Sequence, residues 1–141
     1  MRDTEGRLQE AWNEAGCIAS REALGSLDTD GSPIPIGPEI WRTKGQPPKL
    51  DQTPYGEVEV ERHVYQRSGG GATSCPLERE ARMVITSTPR FAKQVSSQWA
   101  QGVAREGQRD LAENHALPVA MSYLQRLSEA IGTVVQVQET E

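Results

Sequence analysis

The fold of this chain is indicated most clearly by ten residues near its middle, Glu57-Val58-Glu59-Val60-Glu61-Arg62-His63-Val64-Tyr65-Gln66. The valines at 58, 60 and 64 fall on one face of an extended strand, because side chains alternate between faces along it. The other face carries Glu57, Glu59, Glu61, His63 and Tyr65. Alternation of this kind predicts a strand with one buried side and one solvated side.

The residues that follow predict a β-hairpin over 57–77. Arg67-Ser68-Gly69-Gly70-Gly71-Ala72-Thr73 is rich in small residues and is typical of a turn. Ser74-Cys75-Pro76-Leu77 is expected to begin the return strand. The glycine run is not interpreted as a phosphate-binding loop, because no Lys followed by Ser or Thr comes after it.

Between positions 28 and 56 the composition predicts an extended arm. Six of the chain's nine prolines fall in this stretch, which argues against long helices and interior strands. Isolated apolar residues such as Ile36, Trp41 and Leu50 are expected to attach the arm at a few points. The segment is therefore predicted to be a connector and not a domain.

Residues 1–27 predict an N-terminal amphipathic helix that runs from Glu5 to Leu27. Its apolar residues recur at spacings of three and four along one stripe, Leu8, Ala11, Trp12, Ala15, Ile18, Ala19 and Ala23. Gly16 within this helix costs about 1 kcal/mol relative to alanine. Gly25 is a residue at which such a helix can end.

Residues 78–141 predict a helical unit. A short helix over 77–83 precedes Ser87-Thr88-Pro89, a helix-start signature with proline at the first helical position. The helix that opens there is expected to end near Gly102, a second to span Arg105 to His115, and a third Pro118 to Ile131. The predicted inward residues are Phe91, Ala92, Val95, Trp99, Ala100, Leu111, Ala112, Val119, Tyr123, Leu124, Leu127 and Ile131. From Gly132 the sequence returns to apolar-polar alternation.

The chain as a whole is thus predicted to be α+β, with an N-terminal helix, a proline-rich extended arm, a β-hairpin and a helix-turn-helix-like three-helix unit. In a helix-turn-helix the last helix enters the major groove by its N-terminal residues. Ser122, Gln125 and Arg126 are expected to face outward there, beside Met121, and can read base edges. The predicted phosphate contacts are Arg90, Lys93, Arg105 and Arg109. The same spacing also fits a plain helical interaction domain, and both interpretations stay open.

The charge balance limits any DNA binding. The chain has 15 Lys+Arg against 20 Asp+Glu, a formal net charge of -5. Residues 90–141 carry five basic and six acidic residues. Because affinity for nucleic acid comes largely from neutralised phosphates, binding is expected to be weak and strongly salt-sensitive. The apolar share of 35% predicts a small core.

The same composition predicts a cytoplasmic location. Cys17 and Cys75 are the only cysteines, which fits a reducing cytosol better than a disulfide scaffold. The N-terminus has no apolar core of the kind found in secretory signals, so none is expected. No membrane span is expected either, because the sequence has no run of about 18 apolar residues.

No catalytic residue, metal site or cofactor is predicted. Asp28-Thr29-Asp30-Gly31-Ser32 is similar to the first half of a calcium loop. A calcium loop also needs a glutamate from the helix that follows it, and the prolines after Ser32 prevent such a helix. A turn is therefore predicted instead. His63 and His115 are too isolated to bind a metal with either cysteine. No serine lies in a Gly-x-Ser-x-Gly motif, so hydrolase chemistry has no nucleophile signature.

Several blocks of this chain resemble, in the same order, the N-terminal region of bacterial insertion-sequence transposases of the ISKra type. The blocks are Ala23-Leu24-Gly25-Ser26-Leu27-Asp28-Thr29-Asp30-Gly31-Ser32-Pro33-Ile34, the stretch from Gln52 to Gln66, Cys75-Pro76-Leu77-Glu78, the stretch from Thr88 to Ser96, Asp110-Leu111-Ala112-Glu113-Asn114-His115 and the stretch from Pro118 to Ala130. Together they cover residues 23 to 132.

The resemblance implies a mobile-element protein that recognises DNA ends and takes part in transposition. Such transposases carry their metal-dependent catalytic carboxylates in an RNase-H-like domain after this region, and no residue here matches them. We therefore expect a truncated, non-catalytic N-terminal part that contributes DNA-end recognition and assembly. Its expected partners are DNA and either a second copy of itself or a separately encoded catalytic part. Two alternatives are a protein-interaction or dimerisation module without DNA binding, and an inactive pseudogene product that folds incompletely.

Overall fold

The structure, a computed structural model, describes the backbone of residues 1–99 and 104–140, and the side chains of that range other than 98–99, 104–106, 114 and 133–140. Within this range the fold is α+β, as predicted: a long N-terminal helix, antiparallel sheets, then shorter helices. The elements in order are α1 (Arg2–Gly25), β1 (Ile34–Ile36), β2 (Glu39–Thr43), β3 (Pro48–Thr53), β4 (Gly56–Glu61), β5 (Tyr65–Arg67), β6 (Thr73–Ser74), α2 (Pro76–Glu80), α3 (Pro89–Trp99), α4 (Ala104–Asn114) and α5 (Met121–Thr140).

The strands form two antiparallel groups. β3 and β4 make a two-stranded hairpin, and the other four strands lie in the order β1-β2-β5-β6. A tight turn at Pro54 and Tyr55 joins β3 to β4. Thr53 Oγ1 caps this turn by donating to the Gly56 carbonyl at 2.8 Å and accepting from the Tyr55 amide at 3.1 Å. Gly56 has a φ of 145°, a conformation that glycine adopts readily.

The predicted hairpin over 57–77 is confirmed at its turn, where β5 and β6 pair antiparallel, and is wrong for the first half of its first strand. The strand ends at Glu61 and resumes as β5 at Tyr65. Its first half, β4, pairs with β3, whereas its second half, β5, pairs with both β2 and β6. The expected return strand is reduced to β6, because Pro76 opens α2. The alternation of side chains identified the strand, but the partner of its first half is β3, which precedes it in the chain.

The proline-rich segment 28–56 is a paired part of the sheets and not an unpaired arm. It supplies β1, β2 and β3. Its prolines lie where a missing N–H is tolerated: Pro35 is in the edge strand β1, Pro48 is the first residue of β3, and Pro38 is in the β1–β2 turn. The prolines therefore limit where strands begin and end, without preventing them.

Tyr65, predicted on the solvated face, is fully buried. Its hydroxyl donates to the Ser32 carbonyl at 2.9 Å and lies 2.6 Å from Thr29 Oγ1. Because the strand breaks at 62–64, the face reverses between Glu61 and Tyr65. The Asp28–Ser32 segment forms the predicted turn, and the Asp28 carboxylate binds the backbone amide of His63 at 2.9 Å.

α1 ends at Gly25, as the sequence indicates, and packs against β4. Leu24, Val58, Val60 and Leu77 form a small buried cluster there, with Cys17 and Cys75 at its edge. The helix surface that faces inward carries Gln9, Asn13 and Gly16 as well. A Cβ atom on Gly16 would lie 2.2 Å from the Tyr55 ring, so glycine is what allows this close approach. The apolar stripe of α1 faces solvent instead.

Arg62 lies at the centre of a buried ionic cluster. Its guanidinium bonds Asp51 of β3 and, at 2.9 Å, Glu78 of α2, and Lys49 also reaches Glu78 at 2.6 Å. Arg62 and Asp51 are almost wholly buried. Burial raises the pKa of Asp51, and the adjacent Arg62 charge partly offsets that rise. This cluster joins β3, the end of β4 and α2.

β3 also connects the sheets to the helical unit. The Gln52 amide donates to the Thr86 carbonyl at 2.7 Å, and the Thr88 amide donates to the Gln52 carbonyl at 3.0 Å. Pro89 then begins α3, as the Ser-Thr-Pro signature predicts. At the other end of the unit, α5 continues to Thr140, beyond the predicted end at Ile131, so the apolar-polar alternation after Gly132 lies within a helix.

Replacing Arg62 by methionine should destabilise the fold strongly. Arg62→Met keeps an unbranched apolar stem but leaves the Asp51 carboxylate buried without its cation, which costs about 3–5 kcal/mol. Lys49→Met is the matched control, because Lys49 pairs with the same Glu78 but is partly exposed, and such pairs contribute about 1 kcal/mol or less. Urea unfolding measures both. Equal free-energy losses would show that the cluster is not the central contact.

Alanine at two glycines of α1 should have opposite effects. Gly6 has nothing near its missing Cβ, so Gly6→Ala should stabilise by about 0.5–1 kcal/mol through helix propensity. Gly16→Ala gains the same propensity, but its methyl group would overlap the Tyr55 ring. We expect net destabilisation of about 1–3 kcal/mol from overpacking, measured by thermal or urea unfolding. Stabilisation by both substitutions would contradict the packing of Tyr55 on α1.

Candidate nucleic-acid interface

α3, α4 and α5 enclose the larger of the two cores. Phe91, Leu111 and Leu127 have no exposed surface, and Val95 and Leu124 are almost as deeply buried. Ala92, Leu117 and Val119 complete this cluster, and Val84, Tyr123 and Ile131 pack at its edge. The predicted inward residues of α3 and α5 are thus confirmed, except Trp99 and Ala100, whose side chains lie outside the described residues. Ala112 was predicted inward and is exposed.

The turn between α4 and α5 is held by the core. The Leu117 amide donates to the Leu111 carbonyl at 2.8 Å, and the Gln108 side chain donates to the Val119 carbonyl at 2.9 Å. Ala116 adopts a φ of 52°, a conformation that costs about 1–2 kcal/mol for a residue with a Cβ atom. The buried side chain of Leu117, next in the chain, holds the turn in this shape. α5 begins at Met121, three residues later than predicted.

The polar residues predicted at the start of α5 do face outward. Ser122, Gln125 and Arg126 are all exposed, and their spacing of three and four places them side by side on the helix. Met121 is half-buried. The Arg126 guanidinium lies 6.0 Å from the centre of the Tyr123 ring. The Thr86 hydroxyl donates to the Tyr123 hydroxyl at 3.1 Å, which holds the Tyr123 ring in place.

The predicted phosphate contacts fall into separate places. Arg90 and Lys93 lie together on the exposed first turns of α3. Arg109 is exposed on α4 and borders a shallow groove of about 760 Å³ with Pro118 and Met121, at the entry to α5. Arg105 belongs to α4, but its side chain lies outside the described residues.

Arg90 and Lys93 line a cleft between α1 and α3 that the sequence did not predict. The cleft holds about 500 Å³. Its lining comprises Gln9 and Asn13 of α1, Pro54 and Tyr55 of the β3–β4 turn, Arg90, Lys93, Gln94 and Ser97 of α3, and His115. None of these residues is acidic, in a chain whose net charge is -5. The cleft is therefore a locally cationic surface with amide and hydroxyl groups around it.

Asn13 positions α1 as one wall of this cleft. Its side-chain amide donates to the His115 carbonyl at 2.7 Å, and its oxygen accepts from Gln9 at 3.0 Å. Asn13 is buried, so both amide groups are held in place. The Nε2 atom of the His115 ring lies 3.6 Å from the Asp110 carboxylate. The sequence offered one indication of this wall: Gln9 and Asn13 are polar residues on the face of α1 opposite its apolar stripe.

No other chemistry is indicated among the described side chains. No group of three or more His, Cys, Asp or Glu residues is placed there to hold a metal ion. Cys17 and Cys75 are free thiols, and burial raises the pKa of each. In the part of the chain that the structure describes, no helix is both long enough and apolar enough to cross a membrane.

Compared with known proteins, the chain matches no protein-family model, and no curated protein matches its sequence. The assignment of a function therefore depends on the geometry of the helical unit and the cleft.

Removing the Asn13 side chain should loosen α1 from the helical unit. Asn13→Ala deletes the bond to His115, and we expect a loss of about 1–2 kcal/mol in the free energy of unfolding. Glu14→Ala, at the exposed neighbouring position, is the control and should change stability by less than about 0.5 kcal/mol. Urea unfolding of both variants tests this. A neutral Asn13→Ala would mean that the contact between α1 and His115 does not hold the cleft together.

Proposed function

We propose that this chain is the DNA-contacting part of a transposase-like protein and serves DNA-end recognition and assembly, with no catalytic role. One observation carries the proposal: a single helical unit presents an exposed Ser-Gln-Arg face at the start of α5 and, at the start of α3, a cleft with Arg90 and Lys93 and no acidic residue among its described lining. These two surfaces match the two requirements of sequence-specific DNA binding, base reading and phosphate contact.

Ser122, Gln125 and Arg126 supply the base-reading part. A serine hydroxyl can donate or accept, a glutamine amide can pair with adenine, and an arginine can pair with guanine in the major groove. Because α5 is the last helix of the unit and follows a fixed turn, its first two turns can enter a groove while α3 and α4 support it.

Arg90, Lys93 and Arg109 supply the phosphate contacts. Among the described residues, the side chains of Arg90 and Lys93 have no carboxylate partner, so their charges are available to an anion. In a protein with a net negative charge, this cleft is a local region of positive potential. It is therefore the surface that an approaching phosphate backbone would meet first. The overall charge of -5 nevertheless keeps affinity low and salt dependence high.

The resemblance to ISKra-type transposases supplies the biological context of this proposal. Transposition requires a protein that recognises element ends and holds them for strand transfer. We assign recognition to α5 and expect a separate catalytic part as partner, in the cytoplasm.

The proposal is tested by fluorescence anisotropy with a labelled DNA duplex over a range of salt concentrations. Each phosphate contact contributes about 0.9 to the slope of log K against log salt. The double substitution Arg90→Gln and Lys93→Gln should therefore lower the magnitude of that slope by about 2, and weaken binding to all sequences alike. Lys44→Gln removes an exposed cation remote from the cleft and serves as the control.

Sequence recognition is tested in parallel by selecting duplexes from a randomised library. Arg126→Ala should relax the selected preference by about 1–3 kcal/mol at one base position, without changing the salt slope. Wild-type protein that binds no duplex at low salt, or selects none over unrelated DNA, would refute the proposal.

A second candidate function is a protein-interaction module that does not touch DNA. The exposed apolar stripe of α1 favours it, because large apolar patches on a surface mark interaction sites. This candidate predicts no duplex binding at low salt together with stable association in solution.

A further inference from the structure

Tyr55 packs one face of its ring on α1 and leaves much of the residue open to solvent. A Cβ atom placed on Gly16 would overlap Cγ, Cδ1 and Cδ2 of the ring at nearly equal distances. A point that meets these three atoms together lies over the face of the ring and not beyond its edge. The face toward Gly16 is therefore covered, whereas 42% of the residue is exposed on the side away from Gly16.

The ring of Tyr55 is held in place by the turn that carries it. Thr53 Oγ1 accepts a hydrogen bond from the Tyr55 amide at 3.1 Å and donates to the Gly56 carbonyl at 2.8 Å. Thr53 itself has no exposed surface, so this turn is anchored in the β3–β4 hairpin. An aromatic side chain that is already fixed loses little conformational entropy when a ligand packs on it.

α3 contributes a polar wall to the cleft that Tyr55 lines. Arg90, Lys93, Gln94 and Ser97 are spaced as i, i+3, i+4 and i+7, so they form one face of the helix. This face and Tyr55 border the same space of about 500 Å³, which is within the range of about 300–1,000 Å³ that is usual for ligand sites. The cleft thus combines a fixed aromatic ring with two cations, an amide and a hydroxyl.

The positions of the charges indicate where an anion would bind in the cleft. At one end, the Asp110 carboxylate lies 3.6 Å from His115 Nε2, which makes that end unfavourable for a phosphate. No acidic residue is among the described lining residues of the cleft. A phosphate therefore fits best against Arg90 and Lys93 on the α3 wall.

We propose that this cleft binds an unpaired segment of single-stranded DNA, with one base stacked on Tyr55 and the adjoining phosphates on Arg90 and Lys93. The inference rests on the proposed function and adds to it the class of ligand that this cleft accepts. Aromatic rings and cations in one groove are the combination by which proteins bind single strands. A base within a duplex cannot use the ring, because its faces are covered by the neighbouring bases.

Fluorescence anisotropy of the full chain with two labelled oligomers tests the proposal at low salt. Oligothymidine and an abasic oligomer of the same length carry the same phosphates, but only the first carries bases. Tyr55→Leu should weaken binding of oligothymidine by about 5- to 150-fold and leave binding of the abasic oligomer unchanged. Tyr55→Phe keeps the ring and should bind as the wild type does. The double substitution Arg90→Gln and Lys93→Gln should weaken binding of both oligomers.

Photo-cross-linking tests the same contact in the wild-type chain, so its result does not depend on the stability of a variant. An oligothymidine in which one base is replaced by 5-iodouracil is irradiated in the complex, and the cross-linked tryptic peptide is identified by mass spectrometry. We expect the peptide of residues 50–62, in which Tyr55 is the only aromatic residue. The exposed Trp12 lies in a different peptide and serves as the internal comparison.

Three results would each overturn the proposal: equal affinity of the wild type for the two oligomers, unchanged binding of oligothymidine in Tyr55→Leu, or cross-links confined to peptides other than 50–62. Tighter binding of oligouridine than of oligothymidine would overturn the assignment to DNA. The proposed function is tested separately, because duplex selection depends on α5 and Arg126. Loss of duplex recognition with a retained preference for oligothymidine would refute the proposed function alone.

Discussion

The buried guanidinium of Arg62 joins the elements on which the rest of the molecule is built. It holds Asp51 of β3 and Glu78 of α2 from the end of β4, beside the apolar cluster that Val58, Val60 and Leu77 form. Isolating a charge in this environment is costly unless its partners are present. The ionic cluster therefore sets the position of β3. The backbone of Gln52 in β3 then forms hydrogen bonds with Thr86 and Thr88, in the segment that leads into α3.

The placement of α1 follows from the small residues on one of its faces. Gly16 lets the helix approach the Tyr55 ring. Asn13 donates a hydrogen bond to the carbonyl of His115, the residue that follows α4. A large apolar face could not come this close to the β3–β4 turn. The polar, small face is consequently the packed one, and the apolar stripe is left exposed. The same orientation makes α1 a wall of the cationic cleft, so the cleft and the apolar stripe occupy opposite sides of one helix.

Part of the candidate interface could be predicted from the sequence, and part could not. The outward direction of Ser122, Gln125 and Arg126 follows from helical periodicity, once Leu124 and Leu127 are assigned inward. The sequence could not place Arg90 and Lys93 in a cleft with α1, because the wall residues Gln9 and Asn13 lie more than seventy residues earlier in the chain. Arg109, predicted for the same role, lies beside a different groove at the entry to α5.

The sequence by itself determined the α+β class, the end of α1 at Gly25, the start of α3 at Pro89 and the inward residues of α3 and α5. These features depend on local periodicity and on backbone chemistry within a few residues. The tertiary structure decided which strand pairs with β4, that Tyr65 is buried, that the proline-rich segment forms strands, and which face of α1 is packed. Those outcomes depend on hydrogen bonds, ion pairs and close approaches between residues far apart in the chain, and no local pattern contains them.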